Sequence, residues 1–175
     1  MTGLSTLGFL QSLHTLTLEL LGRHDLHNIL QSIVEKATIL LDAPYTELLL
    51  LDDDGETLVV RACTSNLESI FCERLSRGTG HLTWKAFDSG EPAVLEDYST
   101  WEHRRSVYPD SIHAVADIPV LNRTGVIGVL GLSRTMPNHP FTAIEIEQGK
   151  IFAQMAAIVL ENVRWYDTAT AELEA

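Results

Sequence analysis

Cysteine is scarce in this sequence. Only Cys63 and Cys72 occur among 175 residues, so no disulfide framework holds the fold, and no CxxC spacing offers a metal or redox centre. Positive charge is scarce as well: 12 Lys and Arg stand against 24 Asp and Glu, a formal charge of −12 with histidine neutral. Such a field repels a phosphate backbone, and no basic cluster with interleaved aromatics offsets it, which argues against nucleic acid as a partner. No apolar run approaches the ~20 residues of a membrane-spanning helix. The N-terminal stretch lacks the basic start and small-residue cleavage site of a signal peptide. A reduced, cytoplasmic setting with no membrane span is the expectation.

Catalytic signatures are missing too. The histidines show neither HExxH nor any other paired ligand spacing, so no metal is expected. There is no glycine elbow around a serine and no Ser–His–Asp pattern. Asp52, Asp53, Asp54 and Gly55 read as a turn, and no glutamate twelve positions on completes a calcium loop. Gly78-Thr79-Gly80 could present free N–H groups to an anion but reads better as a structural turn, and no Gly-Lys-Ser/Thr follows to make a nucleotide loop. Nothing argues for an enzyme.

What is present is ordinary globular material, 45% hydrophobic and 21% charged, in a length that suits one domain. Leu10, Leu13, Leu16 and Leu20 share one helical face. Gly22 and Asp25 break that helix, and Asp25 is placed to cap a second, whose wide stripe runs from Leu26 through Ile29, Leu30, Ile33, Val34 and Ala37 to Leu41 before Pro44. The period then changes. Residues 45–51 and 58–64 flank the Asp-Gly turn as a β-hairpin. Residues 66–77 read as a loop with a short helix, 79–88 as a helix closed by Ser89-Gly90, and 91–95 as a short strand. A polar, aromatic stretch, 96–110, reads as loop plus short helix. Residues 112–121 and 126–133 form a second hairpin around Gly125, and Gly128 and Gly131 inside its second strand mark a bulge or a close backbone approach. The last helix starts at Thr142, with Glu145 completing a capping box. With no internal repeat or linker, the expectation is an α+β single domain over 1–175, its core at about 10–165 and a C-terminal signalling helix over 142–172.

Three strings carry a family resemblance: Arg77-Gly78-Thr79-Gly80-His81-Leu82-Thr83-Trp84-Lys85-Ala86, Ser89-Gly90-Glu91-Pro92 with Glu96-Asp97-Tyr98, and Ala116-Asp117-Ile118-Pro119-Val120-Leu121 leading through Arg123-Thr124-Gly125-Val126-Ile127-Gly128 to Leu132. With the Phe141-Thr142 helix start they resemble, in order and spacing, a GAF domain. Asp97-Tyr98 followed by Trp101-Glu102-His103-Arg104 is similar to GAF domains of bacterial sensor histidine kinases. The resemblance implies an α/β sandwich: a central antiparallel sheet of about five to six strands, with the N- and C-terminal helices packed on one face. It also implies a small-molecule ligand over the sheet, enclosed by the segments before the second hairpin, near Trp84, Tyr98, Trp101, Arg104 and His113.

Tyr98, Trp101, His103, Arg104 and Arg105 form the densest aromatic and cationic group in an acidic chain, suited to stacking a planar ring and pairing an anion. The bland alternative is a loop pinned by its aromatics. His113 could reach a ligand or a haem, or be a hydrogen-bonded core residue. Relatives that bind a bilin covalently use a cysteine in the segment before the second hairpin; residues 101–109 contain none, so no bilin attachment is expected. Relatives that reduce free methionine sulfoxide use several cysteines, and two in poorly matching positions make that activity a remote alternative. The last helix shows two adjacent, mainly apolar rows, one with Ile144, Ile151, Met155, Ile158, Asn162 and Trp165, the other with Phe152, Ala156, Val159, Val163 and Tyr166. Two rows allow one to pack on the sheet and the other on a second copy, giving a homodimer through terminal helices. The expected function is a non-catalytic sensory module of a signal-transduction protein, with a ligand-free dimerisation module as the alternative.

Overall fold

The computed structural model describes residues 6–21, 25–78 and 81–174, without the side chains of Leu7 and of residues 16–21 and 163–174. Two helices, α1 (Thr6–Leu21) and α2 (Leu26–Leu40), precede β1 (Tyr45–Leu51) and β2 (Thr57–Cys63). A 3-10 turn (Ser65–Ile70), β3 (Arg74–Ser76), α3 (Leu82–Ser89) and β4 (Ala93–Leu95) follow. A hairpin of β5 (Ala114–Asn122) and β6 (Gly125–Arg134) leads to α4 (Ala143–Glu174). The strands form one antiparallel sheet in the order β3-β2-β1-β6-β5-β4. No helix among the described residues is long and apolar enough to cross a membrane.

Local chemistry sets these boundaries. The Asp25 carboxylate accepts the His27 N–H at 3.0 Å and starts α2. Thr142 and Glu145 form a reciprocal cap on α4: the Thr142 N–H donates to Glu145 Oε2 at 2.7 Å, and the Glu145 N–H to Thr142 Oγ1 at 3.3 Å. Gly128 is required by packing, since a Cβ there would lie 2.3 Å from the Leu49 carbonyl oxygen of the neighbouring strand. Pro119 is tolerated inside β5 because β4 pairs only with residues 115–117, leaving that edge unpaired where proline lacks its N–H.

The sheet separates two apolar layers. One face carries Leu48, Ala62, Ala114, Ala116, Ile118, Leu130 and Leu132, covered by α2 and α4, with Phe9 of α1 set edge-on against Phe152 at 5.9 Å. Each large side chain buried here contributes about 1.5–3 kcal/mol. Phe9, rather than the leucine row, anchors α1: Leu10 is exposed and Leu13 only partly buried, while the side chains of Leu16 and Leu20 lie outside the described residues. The opposite face carries Leu49, Leu58, Val60, Val115 and Val129 beneath α3 and the 96–113 segment.

Two sequence expectations change. Residues 74–76, read as loop, form edge strand β3 on β2; three residues are too few to show alternation. The short helix expected within 96–110 is a run of turns, in which the Trp101, Arg104 and Tyr108 N–H groups each donate three residues back. Aromatic anchors hold these turns to the sheet and override helical spacing.

Arg134, at the end of β6, is 1% exposed and joins three elements. Its guanidinium donates to the carbonyls of Leu41 (2.6 Å), Asp42 (3.0 Å) and Pro140 (3.2 Å) and pairs with Glu145, while stacking 4.1 Å from the Phe141 ring centroid. Arg134→Ala strands the Glu145 carboxylate and three carbonyls. We expect a loss of about 3 kcal/mol or more in urea unfolding, with Arg134→Lys recovering only part of it because ammonium cannot reproduce the fork. A loss below about 1 kcal/mol would contradict this role.

Candidate functional site

Strand alternation brings two acids to the face opposite the terminal helices. Glu47 on β1 and Asp117 on β5 both pair in register with Gly131 on the intervening β6, so the three residues form a row across the sheet. A Cβ at Gly131 would sit 3.2 Å from Asp117 Oδ1 and 3.2 Å from Glu47 Cγ. The glycine therefore leaves the gap into which both carboxyl groups lean. Glu47 is 8% exposed and Asp117 5%.

A cavity of about 30 Å³, room for one or two water-sized groups, lies above this row. Glu47, Thr83, Tyr98, Ile112, Val115 and Asp117 are its buried walls, and half-buried His81, Trp101, Arg105 and Tyr108 form its rim. The Tyr108 hydroxyl donates to Glu47 Oε1 at 2.5 Å, but Glu47 Oε2 is buried without a hydrogen-bond partner. The Thr83 hydroxyl donates to Asp117. Burial, reinforced by Asp117 and opposed by the Tyr108 hydrogen bond and Arg105, raises Glu47 to about 7. Burial likewise raises Asp117 to about 7, against the Thr83 hydrogen bond. Burial and Glu47 together push Tyr108 well above its usual value.

Three of the sequence-selected residues meet at this cavity. Tyr98 and Trp101 meet with their rings tilted at 47° and centroids 5.8 Å apart, and the Tyr98 hydroxyl accepts the Arg105 N–H at 3.0 Å. Arg105 lines the rim while its guanidinium pairs with Glu73 at 3.0 Å. The other three lie elsewhere. Trp84 is buried beneath α3, its indole N–H donating to the Leu75 carbonyl at 3.1 Å and the Arg77 guanidinium 4.2 Å over its ring. Arg104 turns outward to the Pro109 carbonyl and to Asp110 at 2.6 Å. His113 donates its backbone N–H to the Arg134 carbonyl at 2.8 Å, with its ring 3.6 Å from Asp97 Oδ1. Thr79 and Gly80 lie outside the described residues.

Sequence reading missed Glu47, Asp117 and Tyr108. The signal was there: each acid is the single charge in an apolar strand, Tyr45–Leu51 and Ala114–Asn122, and falls in phase with the inward residues. Cys63 is buried on β2 with its thiol raised by burial, and Cys72 is exposed; neither lines the cavity. Among the described residues no group of three or more His, Cys, Asp and Glu is placed to hold a metal ion.

This architecture is that of an antiparallel sheet with a small polar recess on one face and terminal helices on the other. The sequence profile of the GAF domain matches residues 23–161, and the chain belongs to the GAF domain family. The GAF domain of a phosphoenolpyruvate-protein phosphotransferase (ptsP) from Coxiella burnetii superposes with a TM-score of 0.81 at 20% identity, over 94% of this chain and 99% of that one. Free methionine-R-sulfoxide reductase from Neisseria meningitidis, solved with its substrate, gives 0.77 at 16% identity, over 91% and 92%. The second GAF domain of DevS from Mycobacterium smegmatis gives 0.63 at 19%, over 86% and 100%. These likenesses establish a shared fold. No curated protein matches the chain.

The raised carboxyls give a pH test. Both hold protons more tightly in the folded chain than in the unfolded one, so the stability they contribute is complete below the ordinary carboxylate range and is lost as pH rises through about 7. Asp52, Asp54, Asp97 and Glu145 are shifted downward, and their opposite effect falls at lower pH. The melting temperature should therefore decline between about pH 5 and pH 8, and Glu47→Gln and Asp117→Asn should each flatten the decline and be more stable at pH 8 by about 1–3 kcal/mol. A wild-type profile that is level or rising over that window, and unaltered by either substitution, contradicts a protonated pair.

Proposed function

We propose that this GAF domain is a non-catalytic sensory module. A small molecule bound over the Glu47–Gly131–Asp117 row favours one arrangement of the 96–113 segment, and the terminal helices carry that preference onward, in a sensor histidine kinase or another cytoplasmic signalling protein. The observation that carries this reading is the buried, unpartnered Glu47 oxygen facing a cavity roofed by Trp101 and Arg105, an arrangement that stability alone disfavours. Strand β6 supplies a route outward: Gly131 sits in the row, and Arg134, three residues on, fastens the start of α4. The absence of both cysteines from the cavity lining speaks against a thiol-based reductase.

We further propose that α4 pairs with a second copy. Ile144, Ile151 and Ile158 recur at sevens and are 73%, 41% and 48% exposed, while Phe152, Ala153, Ala156 and Ala157 pack inward. The side chains of Val163, Trp165 and Tyr166 lie outside the described residues. The small cavity volume favours a second reading, a dimerisation module with its recess filled by its own side chains.

A thermal-shift screen of metabolites tests the sensor. A ligand at 100 times its dissociation constant adds about 2.7 kcal/mol, and Trp101→Ala should weaken that effect. If no compound stabilises the protein and it is nonetheless dimeric, the dimerisation module takes its place. Light scattering tests the dimer: the Ile151→Asp, Ile158→Asp double variant should be monomeric with its melting temperature little changed. A wild-type monomer at high concentration, or a double variant that stays dimeric, refutes pairing through this row.

A further inference from the structure

We propose that the Glu47–Asp117 pair recognises the protonated primary amine of a small ligand, an assignment that rests on the reading of this cavity as a ligand site. The two carboxyl groups converge over Gly131 with no salt bridge to either among the described residues. The nearest cation, Arg105, is already engaged by Glu73 at 3.0 Å, with its guanidinium 5.7 Å from the Tyr108 ring centroid. What the cavity lacks is donors. Glu47 Oε2 accepts nothing, although Glu47 is more than nine-tenths buried.

A primary ammonium group supplies three donors and one positive charge in a volume close to that of water, which fits about 30 Å³. It would place one N–H on Glu47 Oε2 and another on Asp117. The aromatic side chains of Tyr98, Trp101 and Tyr108 line the same space, where a ring face turned to the ammonium would add cation–π attraction. An anion would meet two carboxyl groups, and a metal ion would lack a third ligand of its preferred kinds. A neutral donor would satisfy Oε2 without offsetting the charge that burial penalises.

Binding a cation favours the ionised carboxyls and so releases protons. The ionisable groups facing the pair are Tyr98, Tyr108 and Arg105 from the covering segment, Glu73 behind Arg105, His81 at the start of α3, and Cys63 beside Glu47 on β2. Burial lowers His81 and raises Tyr98, Tyr108 and Cys63, so those four are neutral near pH 7, and Arg105 and Glu73 are already paired. The pH response of binding therefore belongs to Glu47 and Asp117.

The test is calorimetry and thermal shift on the purified protein with 2-phenylethylamine, ethylamine and L-phenylalanine, against phenylacetate and 2-phenylethanol as carboxylate and neutral counterparts. The expected result is stabilisation by the amines alone, with affinity rising about tenfold between pH 6 and pH 8 as the pair ionises. Glu47→Gln should melt cooperatively yet lose that affinity at least tenfold, and if Asp117→Asn does not fold, the wild-type pH dependence decides. L-Phenylalanine outperforming 2-phenylethylamine assigns an amino acid, and the reverse a simple amine; either supports the proposal. Equal or stronger binding of phenylacetate or 2-phenylethanol, lost in Trp101→Ala, overturns the ammonium assignment but leaves the sensor reading standing. If nothing in the panel or in a wider metabolite screen binds, both fall.

Discussion

The Arg134 guanidinium is the fastening on which the rest of this fold depends. It is the largest fully buried side chain among the described residues, and it carries its charge into the layer between sheet and helices. Its hydrogen bonds tie the end of β6 to two helices at once: the Leu41 and Asp42 carbonyls left over by α2, the Pro140 carbonyl before α4, and the Glu145 carboxylate within the first turn of α4. A buried arginine is tolerated only where every donor is used and an opposite charge is close, and both conditions hold here. Glu145 serves twice, capping its own helix through Thr142 and neutralising Arg134, so the start of α4 is fixed in position as well as in register. Burial of Phe152, Ala153, Ala156 and Ala157 follows from that starting point.

The same strand that ends in Arg134 carries Gly131, and the contrast between the two faces of β6 is instructive. On the helix face a buried charge is fully partnered. On the other face, two buried carboxyls meet over a glycine with one oxygen unpartnered, and both are driven toward the protonated form. Well-packed apolar residues of similar size at these positions would commonly be neutral or stabilising. Departures of this kind from local consistency are expected at functional sites.

Much of the fold was legible in the sequence because it rests on patterns that local chemistry enforces. The Asp25 and Thr142 caps, the stripe from Ile29 to Leu41, and both hairpin turns follow from residue type and period. Edge strand β3 was not legible, since Arg74, Leu75 and Ser76 are held by pairing to β2 rather than by their own pattern. The site was legible only in part. Tyr98, Trp101 and Arg105 stood out as aromatic and cationic residues in a loop, and the structure places them on one cavity. Trp84, equally prominent by type, was drawn into the core by its indole bond to Leu75 and the stacked Arg77. Which way a loop arginine turns depends on its neighbour in space: Arg104 finds Asp110 outward, and Arg105 finds Glu73 across the rim.

Glu47 and Asp117 show why residue type misled where strand phase would have served. A search for conspicuous loop residues passes over a single acid in Tyr-Thr-Glu-Leu-Leu-Leu-Leu, because the surrounding leucines mark the segment as core. Yet a core strand charges its polar residues with desolvation, and a lone acid there must be paired, protonated or kept for a partner. The two acids, 70 positions apart in the chain, become neighbours across β6 only through the antiparallel order of the sheet. Position along each strand foretold the inward face; the meeting of the two acids over Gly131 required the topology. A buried charge in phase with a core strand is therefore a stronger pointer to a cavity than an exposed aromatic, because burial leaves it fewer ways of being satisfied.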